Sequence, residues 1–402
     1  MTKPIDPAPV ERPLAGTRIV DLTQYESGPS ATQLLAWLGA EVVKIEPPGG
    51  DPSRALAGAN RERESILFSL LNQDKHSLVL DLKRDADREV LFAMLEGADV
   101  LCENFAPGTL ARLGLAVSDL RERFPQLVIA TITGYAPGGP WQDFKSFDFV
   151  AQAVGGAISV TGEPDRTPVR MGPTVADSGA GLHLAVGILA ALLRRTRTGQ
   201  GGTVDVSLQD AMVNLMRNAM GPMYVSGEPA ARSGHLYPGA TPSGLHPCAP
   251  GGANDYVYVL LGNNRHWDGL LRAIGREDLI GDERYARQSA RNARLEEVHE
   301  IVSAWTREHE KYVAMERISA HGVPCGATLD TCELLVDPQL VGSGMLVEHD
   351  VPGWGKLRLP GCPIRIDGTR LVPFPAPSLD RDGDRLRRDV AASADLAGKK
   401  SG

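Results

Sequence analysis

Asp177 stands in Gly172-Pro173-Thr174-Val175-Ala176-Asp177-Ser178-Gly179-Ala180-Gly181, a run of small residues ahead of the apolar stretch 182–193. A carboxylate on a small-residue turn at a helix start is exposed, held and ionised, as a carboxylate nucleophile must be. The position equally suits an N-cap, whose side-chain oxygen takes orphan N–H groups of the first turn. The two roles are compatible, because a cap also lowers the carboxylate pKa.

The elements that must position Asp177 alternate. Strand signals cover 17–23, 41–46, 77–82, 99–105, 127–132 and 203–208; helical signals cover 30–38, 85–97, 117–124, 182–193 and 209–216. This alternation predicts βαβ units and a doubly wound, Rossmann-like α/β domain. Such sheets bind ligands past the carboxyl ends of their strands. Those places are Gln24-Tyr25-Glu26-Ser27-Gly28-Pro29, Pro47-Pro48-Gly49-Gly50-Asp51, Lys83-Arg84 and Asn104-Phe105-Ala106-Pro107-Gly108. No GxGxxG follows the first strand and no GxxxxGK[ST] occurs, which argues against a dinucleotide or P-loop phosphate site.

A chain of 402 residues is long for one domain. The pattern changes between about 222 and 256, a Gly- and Pro-rich stretch read as a long loop. Helical patterns from 266 to about 320 then suggest a smaller α+β domain. The expected division is a large domain over 1–224, a small domain with its linkers over 225–335, and a return to the large domain with a tail over 336–402. Apolar residues at 42% and charged residues at 23% are those of a soluble globular protein. A net charge of −8 provides no basic field for nucleic acid. The five cysteines are scattered without metal-ligand spacing, so no metal site is expected and the thiols read as free in a reducing compartment. The N-terminal segment has no apolar signal core, and the run 182–193 is too short to span a bilayer, so a buried helix and a cytoplasmic location are expected.

Four segments resemble the class III CoA-transferases, which include formyl-CoA and carnitine CoA-transferases and, in a sister branch, α-methylacyl-CoA racemase. They are Leu38-Gly39-Ala40-Glu41-Val42-Val43-Lys44-Ile45-Glu46-Pro47-Pro48-Gly49; Leu80-Asp81-Leu82-Lys83; Glu103-Asn104-Phe105-Ala106-Pro107-Gly108-Thr109-Leu110-Ala111-Arg112-Leu113-Gly114; and the stretch from Phe147-Asp148 through Asp177 to Gly199. The resemblance implies a large and a small domain, with the chain returning to the large one, and two subunits threaded into an interlocked homodimer. It implies that Asp177 attacks an acyl-CoA thioester to give a mixed anhydride. CoA thiolate then converts the anhydride to an aspartyl-CoA thioester, from which an acceptor carboxylate takes the CoA. CoA and acyl-CoA are then substrates, and no permanent cofactor is implied.

By the same matching, Tyr25, Leu80, Lys83, Asn104, Phe105, Thr109, Arg112 and Lys145 stand near CoA. Gly239 and Gly244 of the segment 237–244 correspond to a loop that shields the anhydride. The chain departs from the formyl-CoA branch at Glu26, where that branch has Gln. A carboxylate there would repel oxalate unless it is protonated or paired. Racemization is a second reading, but Phe147 stands where that branch has a proton-carrying His. A third is acyl-CoA binding without turnover.

Overall fold

The computed structural model describes residues 12–60 and 62–400; the N-terminal segment read for a leader lies outside the described residues. In chain order the first elements are β1 (Arg18–Asp21), α1 (Ser27–Trp37), β2 (Glu41–Glu46), α2 (Ile66–Leu71), β3 (Lys75–Val79), α3 (Asp85–Glu96) and β4 (Val100–Glu103). There follow α4 (Thr109–Arg112), α5 (Val117–Arg123), β5 (Val128–Thr133), α6 (Asp148–Val154), α7 (Val175–Thr198), β6 (Gly202–Ser207) and α8 (Leu208–Met216). The six strands form one parallel sheet in the order β3-β2-β1-β4-β5-β6. Strand order reverses between β1 and β4, so a ligand crevice belongs at their carboxyl ends.

Successive strand residues point to opposite faces. Ile19, Val42, Val100 and Val128 pack with Leu35 of α1 and with Ala180, Leu184 and Ile188 of α7. Their neighbours Val20, Val43, Leu101 and Ile129 pack on the other face with Leu91 and Leu95 of α3 and Leu120 of α5. α7 is 24 residues long, twice the apolar run read from sequence, and by length and composition it could cross a membrane. Its buried face against the sheet marks it as a core helix. Its first turns lie close to α1 because Gly181 has no side chain: a Cβ there would fall 2.1 Å from Ser30 Oγ.

A buried ionic cluster ties β1, β2, α1 and β3 together. Lys75 Nζ lies 3.0 Å from Asp21 Oδ2 and also donates to Thr32 Oγ1, Asn72 Oδ1 and the Pro29 carbonyl. Lys44 Nζ lies 2.8 Å from Asp51 and donates to the Thr23 carbonyl. Burial pushes against both ions of the Lys75–Asp21 pair. Lys75 falls to about 8, while for Asp21 the two ammonium groups outweigh burial and hold it at about 2. Those directions leave both groups charged at neutral pH.

The chain divides into two compact units. Of the described residues, the first holds those up to Ala157, Arg170–Gly221 and those from Gln339 on; the second holds Ile158–Val169 and Pro222–Pro338. Within the first, the returning chain covers the exposed edge of β3. Asp380 Oδ1 accepts from Val79 N at 2.8 Å and Asp382 Oδ2 accepts from Ser77 N at 3.1 Å. Pairing an edge with aspartates removes its free donors.

The stretch 222–256 is not the continuous loop read from sequence. It contains most of α9 (Gly221–Ser226) and all of β7 (Gly244–Pro247), which is too short and too Gly/Pro-rich to show alternation. β7 pairs antiparallel with β8 (Tyr256–Val259), and β8 with β9 (Cys325–Ala327). Helices α10 (Asn264–Ala273), α11 (Gln288–Asn292), α12 (Leu295–Thr306) and α13 (Lys311–Ala320) complete this unit, around Trp267, Leu270, Val298 and Val302. His246 of β7 stacks on His299 of α12 at 4.2 Å, with His235 5.6 Å from His299. Burial and the neighbouring imidazoles push His246 down to about 3 and His299 down to about 4.

Two predictions follow from these buried groups. Lys75→Met strands the Asp21 carboxylate in the core and should destabilise the protein by about 3–5 kcal/mol, read by denaturant unfolding; a loss under about 1 kcal/mol would show that the pair carries little. The two histidines stay neutral in the fold but take up protons in the unfolded chain below their ordinary value of 6.5. Stability is therefore lost as pH falls from 6.5 toward 4. His246→Asn should flatten that slope in thermal melts, and an unchanged slope would count against the assignment.

Candidate active site

The turn after β1 is held from three sides. Asn104, just past β4, bridges the crevice: its Oδ1 accepts from Gln24 N at 2.8 Å and its Nδ2 donates to the Gln24 carbonyl at 2.8 Å. Tyr25 sits in the left-handed region at φ 62°, uncommon for a bulky side chain. Its N–H points to Asp51 Oδ1 at 3.4 Å, and Asp51 is in turn paired with Lys44. Its ring meets Phe147 edge to face at 6.0 Å. The turn delivers Glu26 at the start of α1.

Glu26 reaches across to the start of α7. Its Oε1 accepts from the Thr174 hydroxyl and, at 3.2 Å, from Ser178 Oγ. Oε2 receives no hydrogen bond among the described residues. Thr174 is the N-cap of α7, but its side chain makes no capping bond. Asp177 is the third residue of the helix and does not cap it, contrary to the expectation from sequence. Asp148 of α6 takes that role from 28 residues away: its Oδ1 accepts from Ala176 N at 2.8 Å and from Asp177 N at 3.1 Å. Gln152 Nε2 donates to the other oxygen, Asp148 Oδ2, at 2.6 Å.

Three carboxylates thus converge. Burial, then the charges of Glu26 and Asp148, push Asp177 up to about 7. Glu26 is also raised, by burial first, with the two hydroxyls opposing the shift. The sequence-based picture of an exposed, permanently ionised Asp177 is therefore corrected. The side chain is half-buried and titrates near neutrality, because no cation among the described residues sits beside it and the nearby helix N–H groups are spent on Asp148.

Asp177 and Glu26 line a cavity of about 320 Å³ at the switch point, together with Tyr25, Asn104, Phe105 and Lys145. Lys145 is the one cationic side chain in that lining among the described residues, and no histidine lines it. A second hollow of about 260 Å³ shares Phe105, Ala106 and Pro107 with it. Of the other residues singled out from sequence, Thr109 and Arg112 lie on α4, where Arg112 Nη2 donates to Thr109 Oγ1 at 2.6 Å. Lys83 is exposed. Leu80 is corrected: it is 2% exposed and packed in the sheet core with Leu78 and Ile45, which closes its side chain to a ligand. Gly239 and Gly244 belong to the second unit. There Asn292 Nδ2 donates to the Gly239 carbonyl at 3.0 Å, and Tyr237 N to the Ser243 carbonyl at 3.1 Å.

Residues 14–383 match the model of CoA-transferase family III. The chain belongs to that family. It is 38% identical over 379 residues to a formyl-CoA:oxalate CoA-transferase of Streptomyces avermitilis, covering 91% of this chain and 92% of the relative. A protein of the same description from Streptomyces coelicolor is 37% identical over 386 residues, covering 93% and 94%. Among solved structures, a CaiB/BaiF family protein from Brucella suis is 30% identical with a TM-score of 0.84, covering 94% of this chain and 99% of that one.

Sequence reasoning missed the Thr174 and Ser178 hydroxyls on Glu26 and the capping by Asp148. All are contacts across elements, and no local pattern signals them. If Glu26 raises Asp177 through its charge, Glu26→Gln must lower the Asp177 pKa from about 7. Carbon-13 NMR of labelled aspartate, assigned with Asp177→Asn, reads this; an unmoved titration would uncouple the two groups.

Proposed function

We propose that this family III enzyme moves CoA from an acyl-CoA to a small carboxylic acid, with Asp177 as covalent nucleophile. The observation that carries the reading is the placement of Asp177 on a cavity at the switch point of the sheet, beside Asn104, Phe105 and Lys145. Ionised Asp177 attacks the thioester carbonyl; the carbon–sulfur bond breaks and CoA thiolate leaves. The thiolate then attacks the Asp177 carbonyl of the anhydride and releases the donor acid. An acceptor carboxylate attacks the aspartyl-CoA thioester, and the thiolate returns to the acceptor acyl group. The covalent intermediates split one hard transfer into several easier steps.

Lys145 of the cavity lining, Arg112 of α4 and the exposed Lys83 are assigned to supply charge for the polyanionic CoA. The Phe105 ring offers an apolar face at the crevice. Tyr25 and Asn104 line the cavity, Thr109 is assigned to CoA from α4, and the hollow shared through Phe105–Pro107 gives an extended ligand room to continue. The segment with Gly239 and Gly244 is assigned to shielding the anhydride from water. CoA enters as substrate, not as resident cofactor. The exposed apolar stripe Leu182, Val186 and Leu193 on α7 supports a homodimer, interlocked as in the family. The relatives' names point to formyl-CoA and oxalate as the first pair to try, and Glu26 is the residue that sets the acceptor. Phe147 and a lining without histidine leave α-proton transfer without the His it needs, so transfer is favoured over racemization.

Asp177→Asn should lower kcat/KM for acyl-CoA by at least about a thousandfold while CoA still binds. In the wild type, kcat/KM for acyl-CoA should rise with pH through about 7, since only the carboxylate attacks. Hydroxylamine added to enzyme and formyl-CoA should convert Asp177 to a hydroxamate, seen by peptide mass spectrometry. Turnover that survives in Asp177→Asn would refute the role.

A further inference from the structure

The cavity lining holds one cation, Lys145, and two carboxyl groups: Asp177, the attacking group, and Glu26, whose Oε2 receives no hydrogen bond among the described residues. Glu26 cannot easily swing away, because the Thr174 and Ser178 hydroxyls hold its other oxygen. Neither hydroxyl belongs to a cation, so the negative charge of Glu26 is solvated but not neutralised. Asp148 lies outside the lining, with one oxygen capping α7 and the other accepting from Gln152. A ligand that fills this space meets one positive group, Lys145, and the carboxyl groups of Glu26 and Asp177.

From this arrangement we infer that Glu26 selects the acceptor: a small monocarboxylic acid bearing a hydrogen-bond donor on the carbon next to the carboxyl group, a 2-hydroxy acid in the simplest case. This assignment rests on the CoA-transferase reading of Asp177. The acceptor hydroxyl donates to Glu26 Oε2, which satisfies that oxygen and orients the acid. The acceptor carboxylate then faces the Asp177 carbonyl. It forms the new carbon–oxygen bond as the carbon–sulfur bond breaks, and the departing thiolate next attacks the acceptor's own carbonyl. The hydroxyl keeps its proton throughout. A dicarboxylate of the same size places a second carboxylate against Glu26. Like charges in contact disfavour that complex, whereas a hydrogen bond to a charged acceptor favours the other.

Glycolate and oxalate are matched probes of these two classes. Calorimetry on the CoA-bound wild-type protein should show glycolate binding about tenfold or more tightly than oxalate, the scale of one charge-assisted hydrogen bond. Glu26→Gln, which keeps the shape and removes the charge, should erase or reverse that order. The same preference should appear in CoA exchange from formyl-CoA. Oxalate binding at least as tightly as glycolate in the wild type would overturn the inference, as would an order unchanged in Glu26→Gln. Loss of fold is excluded by the melting temperature of the variant. Hydroxylamine capture at Asp177, read in the same protein without acceptor, reports on the nucleophile alone. Failed capture with the expected order of affinities would therefore count against Asp177, not against Glu26.

Discussion

Glu26, Asp148 and Asp177 meet where the first turns of α1 and α7 come together, and ionising all three in a half-buried place is unfavourable. The protein meets this constraint with neutral donors. Asp148 receives two backbone N–H groups and an amide, and Glu26 receives two hydroxyls. Among the described residues Asp177 is left without a donor of its own, and burial and the neighbouring charges push it up to about 7. Its reactivity follows: a carboxylate without hydrogen bonds is a better nucleophile than one that caps a helix, at the expense of being partly protonated near pH 7.

The rest of the first unit serves that arrangement. α7 comes close to α1 because Gly181 leaves room, and this brings Ser178 and Thr174 within reach of Glu26. Tyr25 holds its left-handed backbone because Asn104 fixes Gln24 on one side and Asp51 waits on the other. Asp51 is fixed by Lys44, whose own ammonium donates to the Thr23 carbonyl at the base of the same turn. The buried Lys75–Asp21 pair secures the floor beneath it. A change in the ionic cluster would thus reach the site through the position of the turn without touching a substrate.

Much of the large sheet was legible in the sequence because a parallel, doubly covered sheet writes short apolar strands between amphipathic helices. Strand β2 appears at the bounds read from its β-branched run. The crevice followed from strand order, and with it Gln24 to Pro29 and Asn104-Phe105. The helix carrying Asp177 was legible, but its true start was not: a cap is decided by which oxygen reaches the N–H groups, and Asp148 comes from another helix. The ionisation of Asp177 was hidden for the same reason, since it depends on neighbours 29 and 151 residues away in the chain, Asp148 and Glu26. Leu80 illustrates the opposite error, a position matched by motif whose side chain faces the core. The small β7 strand was hidden by its glycine and proline.

If Asp177 is acylated and regenerated in every cycle, as proposed, its carboxyl exchanges an oxygen with the substrates. Turnover with an acceptor acid labelled with oxygen-18 in its carboxylate tests this directly. Oxygen-18 should accumulate in the Asp177 side chain, located by mass spectrometry of the peptide, and the released donor acid should carry oxygen taken from Asp177. Product thioester formed through many turnovers with Asp177 unlabelled would contradict it.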